Sequence, residues 1–129
     1  MIDHTGIAVK NIQKSIKWYE TALAPIGYGK LMEFSKEVTQ STHVAGFGEK
    51  ATCKPDFWIS EANQINEPRH IAFRAENRSQ VDQFYQAAIN AGGKDNGKPG
   101  IRAHYHPDYY GAFVLDLDGH NIEVVCHLP

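Results

Sequence analysis

The chain has 129 residues, of which 42% are hydrophobic and 22% are charged, and its formal net charge is −2. This length suits one ordinary globular domain with enough apolar material to fold without disulfides. No basic stretch could neutralise a run of phosphates and no apolar run could span a bilayer, so nucleic-acid and membrane partners are not expected.

The N-terminus runs from Met1 directly into Ile2 and Asp3, without the charged-then-apolar leader of a secreted protein. The only cysteines, Cys53 and Cys126, form no C-x-x-C pair and predict neither a disulfide framework nor a cysteine-rich zinc site. We therefore expect a cytoplasmic protein.

The first half of the chain predicts one strand, one helix and three further strands. Residues 2–9 are short and apolar, and Asn11 is a natural N-cap for the helix that follows. The predicted core face of that helix carries Ile12, Ile16, Tyr19 and Leu23. Pro25 and Gly27 are expected to end it. The later strands are predicted at 28–35, 42–48 and 55–60.

The second half repeats this pattern. Residues 69–75 predict a strand and Asn77 caps a helix that ends at Gly92-Gly93, with Ser79 as an alternative cap. The predicted core face of the helix carries Val81, Phe84, Tyr85, Ala88 and Ile89. A loop at 96–100 precedes strands predicted at about 100–105, 110–116 and 120–127, the last two joined at Asp118-Gly119.

An internal repeat relates the two halves without a gap from the first strand to the end of the helix. At an offset of 66 residues, His4 falls on His70, Tyr19 on Tyr85 and Gly27 on Gly93. The boundary lies near 62–68. The sequence therefore predicts an α+β fold of two βαβββ modules, residues 1–66 and 67–129.

Three residues predict a divalent metal site between the modules. His4 and His70 occupy the same place in the repeat, each at the start of a strand, and a pseudo-twofold axis would bring them together. Glu123 is a carboxylate within an apolar strand, where a cation would be a strong partner. The alternative is that the histidines are hydrogen-bonded structural residues and that Glu123 points to solvent from an edge strand.

Three segments resemble the glyoxalase/bleomycin-resistance/dioxygenase superfamily, whose members are also called vicinal oxygen chelate proteins. These are Asp3–Val9, His70–Phe73 and Tyr110–Glu123. The resemblance covers nearly the whole chain. It implies paired βαβββ modules that form a curved mixed sheet around a metal cleft, and frequent homodimers. It also implies one divalent ion (zinc, nickel, manganese or iron) bound by His4, His70 and Glu123.

The chain departs from the glyoxalase I-like pattern at the fourth ligand, which the last strand of the first module supplies as Glu or Gln. Here the repeat places Phe57 opposite Glu123, and a shift of one residue would place Asp56 or Trp58 there. Asp56 is a weak ligand candidate. Phe57 and Trp58 are interpreted either as a wall of the substrate pocket or as plain core.

A second cluster, residues 102–110, is dense in polar aromatic side chains. We consider His104, His106 and Tyr110, with Glu123, as candidate catalytic groups, and Arg102, Tyr105 and Tyr109 as candidate substrate contacts. The alternative is a surface loop whose tyrosines pack on the sheet. His120 and His127 are interpreted as turn and C-terminal residues, and His43 has no identified partner.

Three function classes follow for a small-molecule substrate. The leading hypothesis is a metal-dependent lyase or isomerase acting on a small oxygen-rich substrate and resembling lactoylglutathione lyase. The second is a resistance protein that sequesters a drug between aromatic walls. The third is an Fe(II) dioxygenase, because two histidines and one carboxylate are the facial iron pattern.

Overall fold

The computed structural model describes residues 1–129 and has an α+β fold. Its elements in chain order are β1 (Thr5–Val9), α1 (Ile12–Leu23), β2 (Tyr28–Phe34), α2 (Lys36–Thr39), β3 (Val44–Glu49), β4 (Phe57–Glu61), β5 (His70–Arg74), α3 (Arg78–Asn90), β6 (Lys94–Ile101), β7 (Tyr110–Leu115) and β8 (Asn121–Cys126). None of the three helices has the length and hydropathy needed to cross a bilayer.

The strands form two four-stranded sheets with the same topology, which confirms the two βαβββ modules. The order is β1-β4-β3-β2 in the first sheet and β5-β8-β7-β6 in the second. In each sheet the first and last strands of the module pair in parallel, and the other pairs are antiparallel. This topology puts β1 beside β4 and β5 beside β8, so ligand candidates on those strands become neighbours within a module.

Both long helices begin at the predicted caps. The side chain of Asn11 accepts a hydrogen bond from the backbone N–H of Lys14 at 3.0 Å, and Asn77 does the same for Gln80 at 3.0 Å. A short 3₁₀ turn, Ala24–Ile26, follows α1 and ends at Gly27, whose φ of 81° is left-handed. The asparagine side chains thus satisfy backbone donors that a helix start leaves unpaired.

Two elements differ from the sequence prediction. The strand predicted at about 100–105 is wrong: β6 lies at Lys94–Ile101 and includes the segment predicted as a loop. Its pairing with β7 contains two register shifts, which accommodate Gly97 and Gly100 on an edge strand. The short helix α2 between β2 and β3 was not predicted.

One hydrophobic core joins the two modules. The helices α1 and α3 contribute buried faces to it, and the aromatic rings of Phe57 and Phe73 meet edge to face at 5.3 Å between centroids. The indole N–H of Trp18 donates to the carbonyl of Ala88 at 3.1 Å. The modules therefore share buried apolar surface rather than being tethered only by the linker.

The turn between β7 and β8 fastens the second module to the first. The buried imidazole of His120 lies 2.7 Å from the carbonyl oxygen of Ala8 through Nε2, while its Nδ1 accepts the backbone N–H of Arg69 at 2.9 Å. In the same turn, the buried carboxylate of Asp116 accepts a hydrogen bond from the Tyr19 hydroxyl at 2.5 Å. His120 is therefore a buried link between modules rather than a simple turn residue.

Candidate metal centre

The second module brings His70 and Glu123 together. Strand β5 pairs with β8 so that Ala72 lies opposite Glu123, which places the His70 and Glu123 side chains on the same face of the sheet. His70 Nε2 lies 3.1 Å from Glu123 Oε2. The Glu123 side chain is 3% exposed, whereas that of His70 is 50% exposed. A nearly buried carboxylate thus meets an imidazole that remains open to solvent.

The backbone sets the tautomer of His70. Its Nδ1 lies 3.1 Å from the carbonyl oxygen of Asn121, and a carbonyl only accepts, so Nδ1 carries the hydrogen of this bond. In the neutral ring the lone pair is then on Nε2, which faces the Glu123 carboxylate. Two lone pairs in contact are favourable only when a proton or a cation lies between them.

Tyr109 completes the surroundings of Glu123. Its hydroxyl donates to Glu123 Oε1, and burial, followed by this hydrogen bond to a carboxylate, raises the pKa of Tyr109 to about 12. Gly111 makes room for the contact, because a Cβ there would lie 3.3 Å from Glu123 Oε1 and 3.3 Å from the Tyr109 ring. The phenol stays neutral at physiological pH and acts as a donor rather than a base.

His4 does not join this pair within the chain. Its Nδ1 lies 2.7 Å from Asp3 Oδ2, and Lys54 Nζ lies 2.8 Å from the other Asp3 oxygen. The Lys54 ammonium, followed by His4, lowers the pKa of Asp3 to about 2. No group of three His, Cys, Asp or Glu side chains in the chain is placed to hold a metal ion. The chain therefore does not group His4 with His70 and Glu123, and the three-ligand site stays a prediction.

His4 and His70 nevertheless share a second feature. In each ring Nδ1 contacts an oxygen atom, from the Asp3 carboxylate or the Asn121 carbonyl, so Nε2 is the nitrogen left for another partner, which in His70 is Glu123. Metal-binding histidines are commonly oriented in this way. His4 and His70 therefore share this ring orientation, although the chain does not group them in one site.

The register of the sheets identifies the residue at the fourth ligand position, where glyoxalase I-like proteins are expected to have Glu or Gln. In the second module Ala72 lies opposite Glu123, and in the first its repeat equivalent, Gly6, lies opposite Trp58. Trp58 thus occupies the place of Glu123, one residue from the position given by the fixed offset. Asp56 accepts a hydrogen bond from the Tyr28 hydroxyl at 2.9 Å, and burial, then this contact, raises the pKa of Tyr28 well above its usual value.

Phe57 is not a pocket wall, because its side chain is 1% exposed and lies in the core between Tyr19 and Phe73. Strand alternation explains this: Phe57 faces the helices, and Trp58 faces the opposite side of the sheet. Trp58 is partly exposed, with its ring nearly parallel to that of Phe34.

Arg102 lies near the His70–Glu123 pair through an aromatic bridge. The Phe113 ring stacks near His70 at 6.4 Å between centroids, and the Arg102 guanidinium lies 5.5 Å from the same ring. Arg102 donates to the carbonyl of Lys98 at 2.7 Å, but no carboxylate lies within salt-bridge distance of it. Its positive charge is therefore uncompensated beside the candidate metal centre.

The remaining residues of the 102–110 cluster separate into two groups. Tyr105 packs on Tyr109 at 4.8 Å and on His104 at 4.2 Å, and Tyr105 is exposed. Tyr110 points away from Glu123: its hydroxyl donates to Asp82 on α3 at 2.7 Å. Tyr110 is thus not positioned as a catalytic group for the His70–Glu123 pair.

Three other histidines have partners that the sequence did not reveal. His106 Nδ1 accepts the Asp108 backbone N–H, so its Nε2 donates to His127 Nδ1 at 2.5 Å, and this imidazole pair fixes the C-terminus beside Tyr109. His43 pairs with Glu33 at 2.9 Å. None of these three contacts His70 or Glu123 through a hydrogen bond or ion pair. The histidine surplus is largely structural.

A cavity of 540 Å³ lies at the linker rather than at the metal centre. Its lining includes Gly6, Ser60 and residues 64–67, with Arg69 and His120. Both nitrogens of His120 are already engaged, so the cavity offers no free metal ligand from that ring. Neither His70 nor Glu123 lines this cavity, so it is separate from the candidate metal centre.

Comparison with solved structures shows the same fold in several proteins. A glyoxalase/bleomycin resistance protein from Albidiferax ferrireducens T118 has a TM-score of 0.75 and 23% identity, with 98% of each chain covered. The fosfomycin resistance protein FosX from Listeria monocytogenes, solved with Mn(II) and a sulfate ion, has a TM-score of 0.69 and 16% identity, over 98% of this chain and 91% of that one.

A maize glyoxalase I mutant, E144Q, has a TM-score of 0.74 and 21% identity. The match covers 96% of this chain and 46% of the maize chain, so this protein spans about half its length. No curated protein matches the sequence. The sequence-family model of the Glyoxalase/Bleomycin resistance protein/Dioxygenase superfamily matches residues 1–124. With two βαβββ modules and this match over nearly its entire length, the chain belongs to that superfamily.

Proposed function

We propose that this protein is a metal-dependent enzyme of the lyase or isomerase kind that acts on a small, oxygen-rich, anionic substrate. The observation that carries the proposal is the 3.1 Å contact between His70 Nε2 and the buried Glu123 carboxylate. Two neighbouring ligands about 2.1 Å from an ion and at right angles to each other are about 3 Å apart. The observed spacing therefore suits two adjacent ligands of one divalent cation.

The third ligand in this proposal is His4 of a second copy of the chain. His4 is exposed, has its Nε2 free, and lies apart from His70 and Glu123 in its own chain. A twofold dimer that places the His4 end of one chain against the His70 end of the other completes two equal sites. The expectation of a homodimer thereby gains a chemical reason.

The bound cation would act as a Lewis acid towards substrate oxygens. One carboxylate on a divalent ion leaves a net positive centre, and Arg102 adds a second, uncompensated positive charge beside it. These charges favour an anion. The neutral Tyr109 hydroxyl holds Glu123 in place by donating to its other oxygen.

The chain lacks a second carboxylate that could exchange a proton in the manner expected of glyoxalase I. Trp58 stands where that carboxylate would be, and Asp56 is engaged with Tyr28. We therefore expect weak or absent isomerisation of the methylglyoxal–glutathione adduct. Phosphonates deserve a place among the tested substrates because a FosX structure contains Mn(II) with 1S,2S-dihydroxypropylphosphonic acid.

Mixing two inactive variants tests the shared site. His4→Ala and Glu123→Gln proteins should each lose tight Mn²⁺ binding as measured by calorimetry. After unfolding and refolding together, half of the dimers would be mixed and each would hold one intact site, so about a quarter of the wild-type capacity should return. Absence of recovery, with mixed dimers verified by mass spectrometry, contradicts the shared site. Wild-type binding in either single variant contradicts the ligand set.

A second candidate function is drug sequestration without turnover, which the partly exposed pair Phe34 and Trp58 favours. A sequestering protein would bind its ligand stoichiometrically in the absence of metal and leave it unchanged. Product analysis over many turnovers with Mn²⁺, Zn²⁺, Ni²⁺ and Fe²⁺ separates the two. A metal-dependent product supports the enzyme, and metal-independent binding alone supports sequestration.

A further inference from the structure

We propose that Trp58 and Phe34 form a subsite for a flat, apolar group of the ligand, immediately beside the metal position given by His4. This inference rests on the proposed function for the location of the metal. It adds the chemistry of the ligand: two neighbouring oxygens at the ion and an aromatic or similarly flat substituent next to them.

The first support is an exchange between equivalent positions of the two modules. In the second module, Phe113 lies opposite Glu123 on neighbouring strands. In the first module the corresponding pair is Gly46 and Trp58. Where one module presents a carboxylate, the other presents an indole, and the residue beside the indole has no side chain. The first module thus offers an apolar surface at the place where the second offers a ligand.

Gly46 determines how the indole lies. A Cβ at position 46 would be 2.9 Å from three atoms of the six-membered ring of Trp58, which means that this ring rests on the backbone of β3. Its plane makes an angle of 14° with the Phe34 ring, and the centroids are 6.3 Å apart. Phe34 is 38% exposed. The two rings are stacked, and together they form a partly exposed aromatic platform that a planar group can contact.

The platform is close to His4. Gly6 lies two residues after His4 and opposite Trp58, and a Cβ built on Gly6 would be 3.6 Å from the Trp58 Cβ. His4 immediately precedes β1, so it is only two residues from Gly6. In this proposal an ion bound by His4 Nε2 has the indole as its neighbour on the first module.

A pair of chelating probes tests the subsite. Benzohydroxamate and acetohydroxamate both present two neighbouring oxygens to a metal, and only the first carries a flat ring. For the Mn²⁺-loaded protein we expect benzohydroxamate to bind roughly tenfold more tightly, an advantage of the size that aromatic contacts and burial give. Trp58→Ala should remove most of that advantage, and Gly46→Ala, which forces the ring upward, should reduce it.

Leu117→Ala is the matched control, because Leu117 is an exposed apolar side chain in the turn between β7 and β8, and the advantage should be unchanged. Circular dichroism establishes that each variant is folded. An equal preference for benzohydroxamate in the wild type and in folded Trp58→Ala would overturn the subsite, since differences in chelation strength cancel between the two proteins.

A metal-free measurement separates this inference from the metal site. In EDTA, millimolar benzohydroxamate should change the fluorescence of Trp58, with Trp58→Phe protein as the blank and acetohydroxamate as the ligand control. If neither probe binds the Mn²⁺-loaded protein but the fluorescence change is present, the metal proposal fails and the subsite stands. If the change is absent as well, the subsite is overturned.

Discussion

Replacing Glu123 with Gln should stabilise the metal-free protein while removing its response to metal. Glu123 is a carboxylate with 3% side-chain exposure, and its partners are one neutral hydroxyl and one imidazole. A buried charge without a full counter-charge costs free energy, and a cation bound at the site would offset that cost. Gln keeps the size of the side chain and can still accept from Tyr109.

The magnitude follows from burial. The Tyr109 and His70 contacts offset part of the desolvation cost, so Glu123→Gln should raise the free energy of unfolding in EDTA by about 1–2 kcal/mol. For a chain of this length, that corresponds to a rise of roughly 3–10 °C in Tm. The wild type should gain about 2.7 kcal/mol at a Mn²⁺ concentration 100 times its Kd, and the variant should gain nothing.

Urea unfolding followed by circular dichroism, with EDTA or with Mn²⁺, measures all four values at a fixed protein concentration. The slope with denaturant should be unchanged, because the variant alters one buried group and not the extent of folding. A variant less stable than the wild type in EDTA would show that Glu123 is a structural carboxylate, fully compensated by Tyr109 and His70. Equal stabilisation of both proteins by Mn²⁺ would place the metal elsewhere.

Three further predictions concern single positions. Trp58→Glu supplies a carboxylate at the repeat equivalent of Glu123 and should raise Mn²⁺ affinity at least about tenfold by calorimetry; no gain would contradict the register argument. Tyr109 has its pKa raised to about 12, so its contribution to stability is complete below pH 10 and is lost as the pH rises through about 12. The difference in tyrosinate absorbance between the wild type and Tyr109→Phe should show one group, Tyr109, that titrates near pH 12. Titration of that group near pH 10 would refute its contact with Glu123. His120→Ala leaves the Ala8 carbonyl and the Arg69 N–H without partners and should cost about 2–4 kcal/mol in urea unfolding, whereas Leu117→Ala should cost less than about 0.5 kcal/mol.

Much of the fold follows from local signals in the sequence. Asn11 and Asn77 lie where side-chain oxygens can satisfy the first turn of a helix, and the apolar periodicity of each helix matches its buried face. Gly97, Pro99 and Gly100 normally indicate a loop, so the sequence predicts the edge strand β6 too late in the chain. An edge strand tolerates them because half of its backbone N–H and C=O groups face no neighbouring strand and need no partner there.

The candidate site was predicted less completely. Glu123 and His70 meet because their spacing follows from one module, whose strands pair as the topology requires. The separation of His4 depends on how the modules pack, and the repeat carries no information about that packing. The fixed offset of 66 residues assigns Phe57, not Trp58, to the position equivalent to Glu123. The final strands of the two modules differ by one residue in register, which only the paired sheets reveal.

The exchange of Glu123 for Trp58 between equivalent positions gives the proposed cleft two chemically different ends. A protein built from identical modules would accept an unsymmetrical ligand in either of two orientations related by the pseudo-twofold axis. Here a ligand that turned end over end would bring its flat group against Phe113 and Glu123 and its polar group against the indole. In the proposed enzyme the unequal halves would make the cleft directional, so we expect a single face of a prochiral ligand to meet the ion and the product to be one stereoisomer.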